Sequence, residues 1–243
     1  MENPMITLII PMYNESSIIA DTAKTVSDYM QNNFTSYEII FSDDGSRDDS
    51  ANIVRNLCLP SVKVIGYEKN RGKGCAIRTA MLEASGDIVM FTDADLAYGT
   101  DVIKRVYEAL SQSDANMLIG SRNLSKDGYE GYTFIRKVMS KIYIKVLCMV
   151  GGFKLSDSQC GCKAYKQEAS KRIFERCKVD GFAFDFESIL WAQKFDYKII
   201  ELPVKIVNHR ESTVNVIKDT FKMLGDLRKM KKRIKKESKG LCV

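Results

Sequence analysis

Residues 87–99 read DIVMFTDADLAYG. The IVMF segment is a short unbroken apolar run, the pattern of a strand buried on both faces. Directly after it stand two carboxylates, Asp93 and Asp95, separated by one residue. Carboxylates a few ångströms apart repel, and the repulsion is costly where water is scarce. A chain that ends a buried strand this way needs a positive partner for the pair.

Further apolar runs surround this one. TLIIP (7–11), EIIFS (38–42), VKVIG (62–66) and MLIGS (117–121) read as strands. Between them lie stretches with helical periodicity, such as Ile18, Ile19, Thr22, Ala23, Val26, Tyr29 and Met30. Ser46 is expected to cap a helix whose first turn holds Asp48 and Asp49, and Thr100 to cap another. Such alternation predicts right-handed βαβ units and a mostly parallel, Rossmann-like sheet flanked by helices. The second half is less regular. Helices are expected near 136–150, 168–177 and 185–195, and KIIEL and VKIVN flank Pro203 as edge-like strands.

Ligands of such sheets bind beyond the carboxyl ends of the strands. Pro11, Tyr13, Asn14 and Glu15 follow the first strand, Asp43 and Asp44 the second, Asp93 and Asp95 the fourth, and Arg122 the fifth. On that shared rim, Asp93 and Asp95 are read as ligands of Mg2+ or Mn2+, which would complete its shell with diphosphate oxygens and water. The stretch SDDGSRDDS (42–50) is either an Asp-Gly turn or an acidic site for the N–H of a uracil or guanine base. NRGKGCAIR (70–78) lacks P-loop spacing, but its glycines and Lys73 suit backbone and ammonium contacts to phosphate at a helix start.

With 243 residues and 45% apolar content, the chain can bury a sizeable core in one α/β domain, placed at 1–215. Four prolines and no repeat argue against a long linker, and no eighteen-residue apolar run predicts a membrane span. MENPMITLII does not read as a signal peptide. Seven cysteines without secretory context are expected as reduced thiols, and the Cys160–Cys162 pair lacks the partners of a zinc site. The charge of +6 is uneven: from Lys218 to Lys239 there are ten Lys or Arg against three acids, +7, which leaves −1 elsewhere. Residues 216–243 are thus a basic amphipathic C-terminal segment, suited to an anionic membrane surface; without an aromatic platform, nucleic acid is not expected.

Together the motifs IIPMYNES, FSDDGSRDDS, NRGKGCAIRTAMLEASGDIVMFTDADLAYG, IGSRN, DSQCGCKAY, GFAFDFESI and ELPVKIVNHRES resemble family 2 glycosyltransferases of the GT-A fold, over about residues 5 to 210. Within them the chain is most similar to the polyprenyl-phosphate sugar transferases of the dolichyl-phosphate glucosyltransferase and mannose synthase types. The resemblance implies an inverting hexosyltransferase acting on a nucleotide sugar, UDP-glucose-like or GDP-mannose, and a polyprenyl phosphate. It implies nucleotide contacts from Pro11, Tyr13 and Glu15, base binding by Asp43 or Asp44, and metal and diphosphate binding by Asp93 and Asp95. Arg122, Arg136 and Ser140 match residues that handle phosphate, and Arg210 falls where the family sets a basic group on the diphosphate. Ala97 stands where mannose synthases often carry Gln, and DSQCGCKAY is closer to the glucosyl type. The glucosyl enzymes of eukaryotes usually have an N-terminal membrane anchor, which this sequence is not expected to form.

A lipid phosphate is already anionic and needs no general base, so the site must supply cations; Arg122, Arg136 and Lys163 are the candidates. Should the acceptor be a glycan or protein hydroxyl, Asp157 is the candidate base or positioner, with a turn-fixing role as the alternative; Asp185 and Glu187 carry the same two readings. His209 is either a nucleotide contact or a plain loop residue. The 136–150 helix, with Lys137, Lys141 and Lys145 four residues apart, packs in the core or lies in a membrane interface. A peripheral protein on the cytoplasmic face of a membrane is expected. A dinucleotide oxidoreductase would need GxGxxG after the first strand, where PMYNES stands; a non-catalytic protein recruited by its basic segment is the remaining alternative.

Overall fold

A computed structural model of the chain describes residues 4–130, 134–208 and 216–237. Its elements run β1 (Ile6–Met12), α1 (Ile19–Asn33), β2 (Tyr37–Asp43), α2 (Ser50–Asn56), β3 (Val62–Gly66), α3 (Lys73–Glu83), β4 (Ile88–Phe91), α4 (Asp101–Ser111) and β5 (Met117–Ser121). Then follow α5 (Phe134–Gly151), β6 (Lys163–Lys166), α6 (Gln167–Phe174), α7 (Phe184–Lys194), β7 (Ile199–Pro203) and α8 (Val216–Glu237). Seven strands form one sheet in the order β3-β2-β1-β4-β6-β5-β7. All pairings are parallel except those of β6, which runs antiparallel to both β4 and β5.

The sheet grows from β1 in two directions, through β2 and β3 on one side and β4 on the other. The crevice between β1 and β4 is a topological switch point, where α/β sheets of this kind take ligands. All seven residues of β1 and all four of β4 are buried, as continuous apolar central strands require. The edge strands β3 and β7 are only partly covered.

Three local expectations are corrected. Ser46 caps no helix: α2 begins four residues later, and no acid lies in its first turn. Instead the Ser46 hydroxyl donates to Asp43 Oδ1 (2.5 Å), while Asp48 Oδ1 accepts the Ser50 N–H and hydroxyl. Gly45, at φ +70°, turns the chain away from the helical path first. Thr100 precedes α4 but makes no side-chain cap bond. VKIVN is not a strand; after β7 the chain leaves the sheet, and Val207 N–H bonds Ala97 O (2.8 Å). The basic segment forms α8, whose Leu227, Met230 and Ile234 are buried where it packs on α5 and α7. Among the described residues, no helix is long and apolar enough to cross a membrane.

Candidate active site at the β1–β4 crevice

Chain leaving β4 turns sharply, because Asp95 Oδ1 accepts the Ala97 N–H (3.0 Å) and Leu96 sits in the left-handed region at φ +48°. Asn208 braces the turn from outside, donating to Leu96 O (3.0 Å). Asp93 and Asp95 are both partly exposed at the mouth of the crevice. Lys73, the first residue of α3, forms an ion pair with Asp93 Oδ1. Burial pulls the Lys73 ammonium down, but the carboxylates of Asp93, Asp185 and Asp95 outweigh it and hold its pKa above the ordinary lysine value. Gly161 lies against the other Asp93 oxygen so closely that a Cβ there would strike the carboxylate. Its N–H points to the hydroxyl of buried Tyr98 (3.4 Å).

The acids after β2 have separate tasks. Asp44 is nearly buried, and its carboxylate accepts from Tyr67 OH (2.6 Å), Asn70 Nδ2 (2.8 Å) and the N–H groups of Arg71 and Gly72 (2.9 Å each). It therefore fastens the loop 67–72 that delivers Lys73 to the rim. Asp43 is half-buried and binds Ser46. Ser46 Oγ in turn accepts the Asn14 N–H (2.9 Å), and Asn14 Oδ1 accepts the Arg47 N–H (2.8 Å). These bonds lace the loops after β1 and β2 together. Within the first loop Tyr13 is exposed, while Pro11 is buried as part of β1. The Glu15 N–H donates to Ser50 Oγ (2.8 Å).

Below the rim lies a second set of charges. Lys163, expected on the acceptor side, is fully buried: its ammonium donates to Asp185 Oδ1 (2.6 Å) and Cys160 O (2.7 Å). Burial raises the Asp185 pKa, opposed by Lys163 and Lys73. Asp157, the candidate base, is fully buried and holds Arg122 in a two-pronged contact, Nε to Oδ2 at 2.7 Å and Nη2 to Oδ1 at 3.0 Å. Burial would lower the Arg122 pKa, but Asp157 more than offsets it and drives it well above the usual value. The turn-fixing reading of Asp157 thus accounts for its contacts, since Oδ1 also accepts the Gln159 N–H (3.1 Å). Glu187 is likewise internal, accepting from the N–H groups of Lys178 (2.8 Å) and Val179 (2.7 Å) and pairing with Arg233 of α8. Arg136 and Ser140 fall on α5. His209 and Arg210 lie outside the described residues.

Sequence reasoning missed Tyr67, Asn70, Gly161, Asp180 and Glu201. Asp180 pairs with both Arg71 and Arg78, and Glu201 takes the Ser156 hydroxyl (2.7 Å) and N–H, fixing the loop before β6. Four of them lie in loops, and Glu201 stands inside the KIIEL strand pattern, which marks the strand but not the partner of its carboxylate.

Two carboxylates, a lysine at a helix start and a laced acidic loop thus converge on one switch point. A family model described as glycosyl transferase family 2 matches residues 7–174, which carry all of them. The chain belongs to this glycosyltransferase family. It is 29% identical over 244 residues to a dolichyl-phosphate beta-glucosyltransferase of Dictyostelium discoideum, covering 93% of this chain and 74% of the relative. To the UDP-N-acetylglucosamine–dolichyl-phosphate N-acetylglucosaminyltransferase of Methanococcus voltae it is 27% identical over 224 residues, 85% of this chain and 87% of that one. In fold it is similar to glucosyl-3-phosphoglycerate synthase of Mycobacterium tuberculosis, crystallised with Mn2+, UDP and phosphoglyceric acid. That likeness has a TM-score of 0.68 at 18% identity and covers 93% of this chain and 77% of that chain. The sheet described above is the GT-A fold, in a single α/β domain.

Proposed function

We propose that the protein transfers a hexose, with inversion, from a nucleoside-diphosphate sugar to a polyprenyl phosphate at a membrane surface. The observation that carries this reading is the β4 rim: Asp93 and Asp95 at a switch point, with Lys73 against Asp93. The donor set suits a hard divalent ion such as Mg2+ or Mn2+, since both groups are carboxylates and among the described residues no cluster of three His, Cys, Asp or Glu could form a closed protein cage. Such an ion needs outside oxygens, which a diphosphate has. When bound, it would neutralise charge gathering on the departing nucleoside diphosphate.

The chain's own residues do the rest. Lys73, paired with Asp93, is assigned to the β-phosphate, and the family resemblance assigns the same charge to Arg210. Tyr13 offers a face to the base or ribose, Pro11 and Glu15 shape that side, and of Asp43 and Asp44 the half-buried Asp43 is assigned to the base N–H, since Asp44 is taken up by the 67–72 loop. UDP-glucose is the preferred donor and GDP-mannose the second, as the glucosyl-type relatives suggest.

For the acceptor, a phosphate agrees better with the acids than a hydroxyl does. Asp157 and Asp185, the acids proposed as bases, already bind Arg122 and Lys163. A phosphate monoanion or dianion attacks the anomeric carbon without deprotonation. Arg122, Arg136 and Ser140 are assigned to its neighbourhood, whereas Lys163 acts as a positioning residue beneath the loop. Docking falls to α8, whose Arg228, Lys229, Lys231, Lys232, Lys235 and Lys236 are exposed. The described cysteines are all unpaired thiols, as on a cytoplasmic face. Incubation with UDP-glucose, Mn2+ and dolichyl phosphate tests the reading. It should yield a lipid-linked glucose labile to mild acid; transfer only to hydroxyl acceptors would refute it.

A further inference from the structure

Cys160, Gly161 and Cys162 lead into β6, the antiparallel strand. Because of that direction, the residues before β6 run back along the rim where β4 ends. Phe91 is paired with Lys163, so the same register carried past the strand end sets Gly161 opposite Asp93. The two are in contact: a Cβ built on Gly161 would overlap Asp93 Oδ2 and lie 3.0 Å from its Cγ. On its other side, Asp93 holds Lys73 through Oδ1.

Nothing in the backbone asks for glycine at this place. Gly45, Gly72, Gly99 and Gly152 take positive φ; Gly161 does not, so an alanine is free to adopt its conformation. What is lacking is room for a side chain, and the segment cannot move aside to make it. Lys163 Nζ donates to Cys160 O (2.7 Å), the Gly120 N–H of β5 donates to Cys162 O (2.9 Å), and both cysteine side chains are fully buried. The main chain of Asp93 is fixed as well, since its carbonyl accepts the Leu96 N–H (3.0 Å). Only the Asp93 carboxylate, which is partly exposed, is left to yield.

We propose that Gly161 is a positioning residue of the metal site: its missing side chain keeps open the place of Asp93 Oδ2, and so holds the carboxylate in the pose that meets Lys73 and the divalent ion. The inference rests on the reading of Asp93 and Asp95 as ligands of that ion, and it adds to them a residue that acts by having no side chain. It also gives Lys163 and Asp185 a task. The ammonium that pins Cys160 O is itself held by Asp185 Oδ1 (2.6 Å), so the buried pair fixes the floor against which Asp93 rests. A carboxylate at the surface can swing toward water at little cost to the fold, but a ligand that has swung away no longer orients an ion. Fold and site should therefore respond differently to one added methyl group.

The test follows UDP binding to the full chain by titration calorimetry, without metal and with saturating Mn2+, beside a thermal melt of the metal-free protein. Gly161→Ala should melt like the wild type and bind UDP without metal as the wild type does, while the gain in UDP affinity brought by Mn2+ falls about tenfold or more. Gly181→Ala, in the loop before α7 where a Cβ meets nothing within 4 Å, should change none of the three. If Gly161→Ala keeps the whole Mn2+ gain, the inference is overturned and the function stands. If it lowers the melting temperature and the metal-free UDP affinity along with the gain, the glycine serves packing alone, which overturns the inference too. If the wild type gains nothing from Mn2+, the metal reading of the β4 rim falls, and the role of Gly161 with it.

Discussion

Asp93 and Asp95 at the rim differ from Asp157, Asp185 and Glu187 below it in what their oxygens are doing. The lower three are buried and paired inside the protein: Asp157 on both oxygens by the Arg122 fork, Asp185 on Oδ1 by Lys163, and Glu187 on both oxygens by Arg233 and two backbone amides. The upper pair is partly exposed beside one lysine and a tight turn. Acidic residues thus divide into scaffold and site. An acid bound on both oxygens by fixed donors orients a loop; an acid at an open strand end can take a charge from outside.

That division predicts opposite outcomes for similar substitutions. The largest effect belongs to Asp95→Ala, which removes an oxygen donor for the ion and should cut transfer about a thousandfold, roughly 4 kcal/mol, while barely moving the melting temperature. Steady-state rates paired with thermal melts check it; full activity would dissolve the contrast. Glu187→Ala should do the reverse, costing about 3 kcal/mol of stability because Arg233 and the Lys178 and Val179 amides lose their partner. Urea midpoints measure it, and an unchanged midpoint would place Glu187 in the site instead.

Glu38 sharpens the scaffold side through pH. Burial pushes its pKa up, but Ser85, Thr7 and Lys63 outweigh that and bring it down to about 2. A depressed carboxylate stabilises the fold above its unfolded pKa, and that contribution drains away as pH falls through the folded value. Allowing for solvent screening, about 2 kcal/mol should be lost between roughly pH 4.5 and 2, and Glu38→Gln should flatten that limb. Urea titrations across this range decide it. The smallest effect is expected at the docking face, where Lys232→Ser should weaken binding to anionic vesicles by about 1 kcal/mol at low salt and less at high salt. Co-sedimentation reads both conditions.

The same contrast explains what the sequence could reveal. β1, β2, β4 and β5 were readable because central parallel strands are unbroken apolar runs, and the rim followed from where those runs end. β6 was not, since KAYK is four residues with a lysine at each end; only its place between β4 and β5 makes it a strand. VKIVN alternates like a strand but spends its backbone on the turn after Asp95. The roles of Lys163 and Asp157 depended on partners 22 and 35 residues away, a pairing no local pattern encodes. Likewise the sequence left Asp43 and Asp44 as alternatives for the base, and only the fold shows Asp44 holding the loop that carries Lys73.

The central claim is that Asp93 and Asp95 hold a divalent ion on a nucleoside diphosphate. Electron paramagnetic resonance of Mn2+ titrated with protein and UDP tests it most directly. The wild type should quench the free-ion signal far more strongly with UDP and protein together than with either alone, and Asp93→Asn/Asp95→Asn should abolish the difference without unfolding. A double variant that sequesters Mn2+ and UDP as well as the wild type does would contradict the account.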